Sequence, residues 1–543
     1  MKRKITTLIL SCILAVSSFA AQVIYVSPTG DDGNEGTQGS PYASLAKATM
    51  MVSEDGAVIH VAPGTYVFAA TAVLKPFNQS IIGADAATTI FDGNNEISLI
   101  DGITEMELSE KSVSISKLAF KKGYLLKTAA DLTPVPGGSA IRMGAKTNLT
   151  LEDCYFHKNV TASPDVICWA GAVYFAGNNI AVNKCFFEEN QTPRGYGGGL
   201  TVRHILNLDG TTAHTSYGPT YAVIKNSTFY KNAISSKGGA IYFNKQLDAN
   251  PDDDDATFVV QNCVFLENTT TTAAQVGAAI ALSSGSNSAN NKMQTIVLTN
   301  NTMVDNYNLT TEGAPDKKNA VLLEGFRYVA HLANNIMVSR ALLNHSLFAN
   351  QNVNDEFGMN NIIDVISPNI SGADFTTDAL TKKNQVTAVT AEAIGISKTL
   401  TAYPVGSVFS VPYLSTSTGS IAINGGTNTF MVATLANPTP VEFVLQEDIL
   451  GHMLQEGTRD IGAFEANVTS VRSVSTDLFT ITNEHNGIKI FNLNKGDKVM
   501  VYDSRGSLQY ANSPDESDTT VPLKNAGIYI ISINGKAQKH IYR

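Results

Sequence analysis

The sequence predicts an all-β protein, a long solenoid of stacked parallel coils followed by a small C-terminal β-sandwich-like domain. Two repeated phrases and one change of rhythm carry that expectation. The first phrase is a run of small residues leading into an apolar alternation; between residues 137 and 283 it reads GGSAIRM, AGAVYFA, GGGLTVR, GGAIYFN and GAAIALS. The second has the form apolar-x-Asn/Asp-x-x-Phe-x-x-Asn and reads LEDCYFHKN, VNKCFFEEN, IKNSTFYKN and VQNCVFLEN. Two strand-like phrases per period of roughly 26–42 residues describe coils that bury their apolar faces only by stacking on one another. After residue 475 the pattern changes to short alternating strands separated by turns.

Composition supports this. Charged residues make up only 16% of the chain, against 43% hydrophobic, with 42 glycines, which suits strands joined by tight turns. The formal net charge of −10 argues against a nucleic-acid partner. It would also repel an acidic polysaccharide unless a cation or a local basic patch intervened.

Taken in order, residues 1–20 read as a secretory signal. Lys2, Arg3 and Lys4 precede an apolar stretch that ends at Ser18-Phe19-Ala20. Residues 21–56 form a cap: a strand at Val23–Val26, a Gly/Asp/Asn turn cluster, and a helix opened by Ser40-Pro41. Coils begin at residue 57 with AVIHVAPGTYVF. No later stretch approaches the ~20 apolar residues of a membrane span. YVSPTG, SPYASLAKA and VIHVAPGTY together resemble the N-terminal cap and first coil of right-handed parallel β-helix proteins of the pectin-lyase-like superfamily. The resemblance implies a right-handed parallel β-helix, here over residues 57–465. The paired phrases of residues 137–306 also resemble the repeats of polymorphic outer-membrane proteins.

The anchor row of the second phrase is then Phe120, Phe156, Phe187, Phe229, Phe265, Met303, Met337 and Ile363, in about ten coils spaced about 4.8 Å apart. The closing asparagines Asn159, Asn190, Asn232, Asn268 and Asn306 are expected to form a ladder at one turn, since Asn tolerates the left-handed conformation and bonds neighbouring backbone. Cys154, Cys185 and Cys263 share one repeat position and read as small core residues; no Cys/His spacing suggests zinc. Residues 366–440 lose the rhythm and are expected to form irregular final coils. A linker covers 466–475. Within 476–543, VYDSRG and LKNAGIYIISINGK resemble C-terminal sorting domains of type IX secretion cargo. That implies the secretion machinery as a partner and the cell surface or outer membrane of a Gram-negative bacterium as destination.

Alternation assigns the faces of the first phrase. Ile241 and Phe243 point inward, so the outward column reads Arg142, Tyr174, Thr201, Tyr242, Ala281, Leu322. The column beside it holds Arg203 and Asn244. Tyr174 and Tyr242, two coils apart, would stand about 10 Å from each other, close to the span of two sugar residues. Arg142, Tyr174, Thr201, Arg203, Tyr242 and Asn244 are therefore the candidate ligand-binding residues, for a polysaccharide or cell-surface glycan lying along an exposed sheet. Tyr and Thr also favour exposed strand positions for packing alone. The alternative function is a polysaccharide lyase or glycoside hydrolase in the same groove, with Arg203 and His204 as candidate catalytic groups. Asp248, Asp252, Asp253, Asp254 and Asp255 form an acidic insertion that would suit Ca²⁺ or stand as a solvated loop. Glu188 and Glu189 lie between Lys158 and Lys231 and read as inter-coil ion pairs. The catalytic motifs of pectate lyases, polygalacturonases and pectin esterases are absent. That leaves a binding protein as the first reading.

Overall fold

A computed structural model describes most of residues 21–465 and 480–542. The longer stretches outside the description are 104–109, 129–136, 207–215, 246–255, 272–276, 285–293, 310–319, 339–345, 367–384, 402–407, 433–440, 451–458 and 466–479. The chain divides into two compact units, Met1–Asn467 and Val468–Arg543.

The first unit is a parallel β-helix. Three long parallel sheets run side by side, each taking one strand from every coil. The long-strand sheet has eleven strands, from Val23–Val26 to Asp355–Met359. The Phe sheet, also of eleven, runs from Gly64–Val67 to Gln385–Val386, and the GGA sheet of ten from Ala72–Val73 to Val365–Ile366. A fourth, six-stranded ladder of very short strands fills the corner between the last two. The register keeps the anchor row intact: Phe120, Phe156, Phe187, Phe229, Phe265, Met303, Met337 and Ile363 pair in that order. Consecutive rings from Phe120 to Phe265 stack with centroids 4.6–5.0 Å apart, the coil spacing itself.

The predicted asparagine ladder is present and buried. Each carboxamide nitrogen donates to the next Asn Oδ1, at 2.9 Å (Asn159–Asn190), 3.0 Å (Asn190–Asn232), 2.9 Å (Asn232–Asn268) and 2.8 Å (Asn268–Asn306). The same nitrogen also donates to the carbonyl of the phenylalanine one coil back, as Asn232 does to Phe187 at 3.0 Å. Each Oδ1 accepts in addition the backbone N–H of the preceding ladder residue. The left-handed position is not the asparagine but the residue before it: Lys158, Glu189, Lys231, Glu267 and Asp305 all have φ between 52° and 56°. The reason is that the Asn side chain must turn inward, so the bend falls one residue earlier, where a long charged side chain can reach solvent. There Lys158–Glu189 and Lys231–Glu267 pair at 3.4 and 3.6 Å.

The cysteine position forms a second internal column. Cys154, Cys185 and Cys263 are buried free thiols, and each donates to a carbonyl two residues back. Ser227 occupies the same column, and from Asn301 on asparagine replaces cysteine, with Asn301–Asn335–Asn361 linked at 2.9 and 3.0 Å. In the other phrase the glycine three residues before the strand supplies a left-handed turn, with φ of 74°, 65° and 72° at Gly138, Gly197 and Gly238.

The segment after 386 departs from expectation. It does not continue as coils but folds back along the outside of the Phe sheet. Ala391, Ile394, Ile396, Val411, Leu414, Ala422, Ile449, Ile461 and Ala463 pack on Val264, Leu266, Val304, Ile336 and Val338. Phe409 reaches as far as Asp85, whose carboxylate accepts its N–H at 2.9 Å. The cause lies in the strands: Val264-Phe265-Leu266, Thr302-Met303-Val304 and Ile336-Met337-Val338 are buried on both faces and need a cover. Polar contacts fasten this strap to the turn carrying Asn226, Asn262, Asn300 and Asn334. Arg459, 1% exposed, donates to Asn262 Oδ1 at 2.7 Å and pairs with Glu465 at 3.3 Å, and Asn334 donates to Thr427 O at 2.7 Å. Burial pushes the Glu465 carboxyl up to about 7, against the pull of Arg459.

The second unit contains a three-stranded antiparallel sheet (Thr480–Glu484, Gly487–Phe491, Asp518–Pro522) and a four-stranded one (Val499–Asp503, Leu508–Asn512, Gly527–Ile533, Lys536–Tyr542). Ile488, Ile490, Val499, Val501, Val521 and Ile531 form its core. Among the described residues, no helix is long and apolar enough to cross a membrane. Residues 1–20 lie outside the description.

Two predictions follow from the internal bonding. Asn232→Ala leaves Asn190 without its acceptor and Asn268 without its donor; it should lower stability to denaturant by about 2–4 kcal/mol, whereas a loss below about 1 kcal/mol would show the ladder to be incidental. Glu465 has a folded pKa above its usual value near 4.5, so its contribution is fully present below about pH 4.5 and is lost as pH rises through 7. Between pH 5 and 8 the wild type should therefore lose up to about 3 kcal/mol relative to Glu465→Gln; parallel pH profiles of the two would refute this.

Candidate functional site

The GGA sheet places the predicted residues in the expected register. Asp101, Arg142, Tyr174, Thr201 and Tyr242 occupy successive rungs of one outward column, and Arg203 pairs with Asn244 in the next. Their surroundings differ from the expectation of an open face. Arg142 is 8% exposed, Tyr174 and Thr201 0%, and Tyr242 3%. Only Arg203 and Asn244 remain half-buried.

A second layer covers the column. Between the asparagine turn and the GGA phrase, two consecutive coils carry insertions that pair as a short parallel ladder, Cys168–Trp169 against Gly195–Tyr196. This ladder sets Trp169 and Tyr196 over the column, with Ala170 and Ile103 beside Tyr174. Trp169 stacks on Tyr196 with centroids 4.6 Å apart, and Tyr196 on Tyr242 at 4.7 Å. The Arg203 guanidinium carbon sits 3.7 Å from the Trp169 ring centroid, a close cation–π contact. Asn244 Nδ2 donates to Tyr242 Oη and to Ser283 O, both at 3.3 Å. The outcome is a half-buried shelf of Trp169, Tyr196, Arg203 and Asn244 above a dry floor of Tyr174, Thr201 and Tyr242.

The electrostatics of the floor follow from burial. Arg142 pairs with Asp101 on the adjacent rung, and Asp101 Oδ1 also accepts the Ile103 N–H at 3.0 Å. Burial pushes the Tyr174 hydroxyl up to about 12, with Arg203 pulling the other way. Arg142 Nε and Nη1 and Arg203 Nε have no hydrogen-bond partner among the described residues, so donors collect at this end of the shelf. Trp169 packs on Tyr196 and also holds Arg203. Asp101 and Tyr196 escaped the sequence reading. Both lie outside the repeated phrases, and their signal was modest: an aromatic residue in each of two consecutive insertions.

His204 and the acidic residues Asp248, Asp252, Asp253, Asp254 and Asp255 lie outside the described residues. Among the described residues no group of three or more His, Cys, Asp or Glu side chains is arranged to hold a metal. Glu188 ends a strand of the Phe sheet and Glu189 lies at the bend that follows it. The Tyr155 hydroxyl donates to Glu188, whose carboxyl burial pushes up, and Lys158 pairs with Glu189. Burial drives His157 beside them down to about 4, so this imidazole is neutral near pH 7.

Comparison with known proteins adds little chemistry. Residues 28–74 match a family model described as Protein of unknown function (DUF1565). No curated protein matches the chain in sequence. Among solved structures it is similar to a pectate lyase, Pel9A (TM-score 0.39, 13% identity, covering 83% of this chain and 98% of the other). It is also similar to a rhamnogalacturonan lyase (0.26, 15%, 63% and 87%) and to the pectin methylesterase from carrot (0.28, 10%, 58% and 84%). The fold is a parallel β-helix, as the strand pairing in this chain itself shows.

Proposed function

We propose that the protein binds an extracellular glycan on the GGA face, with Trp169, Tyr196, Arg203 and Asn244 as contacts and Arg142, Tyr174, Thr201 and Tyr242 as the floor beneath them. The carrying observation is the shelf: two stacked aromatic rings, half-buried, with a guanidinium held 3.7 Å from the indole centroid. Aromatic rings offer a sugar ring an apolar face, and a guanidinium offers donors to hydroxyls or a uronate carboxylate. Arg142 is neutralised by Asp101, so the positive charge of Arg203 supplies the local basic group that an acidic glycan would need on a chain of net charge −10. Asp101, the carboxylate among the described side chains of this column, is already committed to Arg142, so the geometry favours binding over hydrolysis by a carboxylate pair.

Trp169 is the chain's single tryptophan, so its fluorescence reports this site alone. Titration with polygalacturonate, alginate and chondroitin sulfate oligosaccharides should give a saturable change with at least one of them, weakened about tenfold or more in Arg203→Ala. No change with any of them contradicts the reading. New unsaturated products or reducing ends would shift it to a polysaccharide lyase or glycoside hydrolase.

We further propose that the chain is exported to the surface of a Gram-negative cell, with residues 476–543 read by the secretion machinery. In a host with a type IX system, removing 476–543 should leave the protein in the periplasm. Equal surface display of the shortened chain would contradict the assignment.

A further inference from the structure

The N-terminal cap does more than close the core. The helix Leu45–Met50 buries Leu45, Ala48 and Thr49 over the first coil, and Ser44 caps it by accepting the Lys47 N–H. The loop before it is tightly bonded. Asp32 accepts the N–H groups of Ala43 and Ser44 and the Ser44 hydroxyl, Ser27 N–H reaches Tyr42 O at 2.9 Å, and Tyr25 N–H reaches Gly36 O at 2.8 Å. This fixed loop stands away from the outer face of the long-strand sheet and leaves a cavity of about 820 Å³ between them.

The floor of the cavity is the outward column Tyr25, His60, Ile82, on three successive strands. The Tyr25 and His60 rings stack, 5.4 Å apart and 27° from parallel. The wall carries Asn34, Gln38 and Ser40. The Asn34 amide nitrogen is held by Pro41 O at 2.8 Å, which presents its Oδ1 in a fixed direction, and the Gln38 side chain is exposed. No Lys, Arg, Asp or Glu lines the cavity.

We propose that this cavity is a second binding site, for a neutral sugar ring, distinct in sheet and in ligand class from the Trp169 shelf. The volume lies within the range of small-ligand pockets, roughly 300–1,000 Å³. The paired rings take the C–H face of a pyranose, and the amides and hydroxyl of the wall take its hydroxyl groups. A charged ligand would meet no lysine, arginine or carboxylate among the lining residues. The segment matching the family model of unknown function, residues 28–74, supplies the loop and one of the three floor strands, Ala57–Val61.

The test uses the full chain, with cellotetraose, xylotetraose, mannotetraose and tetragalacturonate as probes in saturation-transfer NMR and calorimetry. At least one neutral probe should bind. Its affinity should fall about tenfold or more in Tyr25→Ala and His60→Ala, with Trp169 fluorescence unmoved. Gly39→Phe provides the control against misfolding, because a Cβ at Gly39 meets nothing within 4 Å; it should block binding with no change in melting temperature. Failure of all three neutral probes, binding untouched by Gly39→Phe, or preference for tetragalacturonate at this site would overturn the proposal. None of these results depends on whether the shelf binds.

Discussion

Stacked coils have a difficulty at their corners, and the buried asparagine carboxamide resolves it. Along a strand, the backbone N–H and C=O groups of one coil pair with those of the next. At a turn, these groups point in other directions and would be left unpaired in an interior without water, at a cost of about 1–3 kcal/mol each. A carboxamide has two donors and an acceptor with two lone pairs, so one side chain can serve the coil before it and the coil after it. In this chain it does both, with 2.8–3.0 Å contacts from Asn159 to Asn306. The ladder locks the turn, the turn sets the register of the Phe sheet, and register places every outward column.

Function is then decided by what covers each face. The outer Phe sheet is closed by the strap that runs back from residue 391 to Phe409 and on to Ala463. The column of Tyr174 and Tyr242 is closed by the Trp169–Tyr196 ladder, which leaves its own upper edge half-open. The long-strand sheet keeps alternate side chains outward from its first strands through Tyr221–Lys225, and its N-terminal end carries the cap cavity. The covering layers stop at the shelf and under the cap, the two places where binding is proposed.

Periodicity made the register legible. All eight anchors, the asparagine ladder and both outward columns could be placed from the repeated phrases, because side-chain direction in a strand has period two and each coil is hydrogen-bonded to the next. Direction does not say what lies above a side chain. Tyr174, Thr201 and Tyr242 do point out of the coil, yet insertions with no repeat signature bury them, and Arg142 is buried in a pair with Asp101. The strap was missed for a related reason. Its sequence at 390–465 has no period, and the clue lay in its target, the strands VFL, TMV and IMV, uncharged on both faces. The left-handed residue was misplaced by one position, because Asn favours that conformation intrinsically but here its side chain is needed inside.

The central claim is that buried carboxamides hold the coils in register. It is tested most directly by the exchange of their own hydrogens. In protein labelled with ¹⁵N-asparagine and transferred to D₂O, a set of side-chain NH₂ signals should persist for hours, slowed about a thousandfold or more relative to exposed carboxamides, and should show contacts to the phenylalanine carbonyls of the Phe row. Loss of every asparagine side-chain signal within minutes, while the backbone amides of the strands remain protected, would show that the coils hold together without the ladder and would contradict the account.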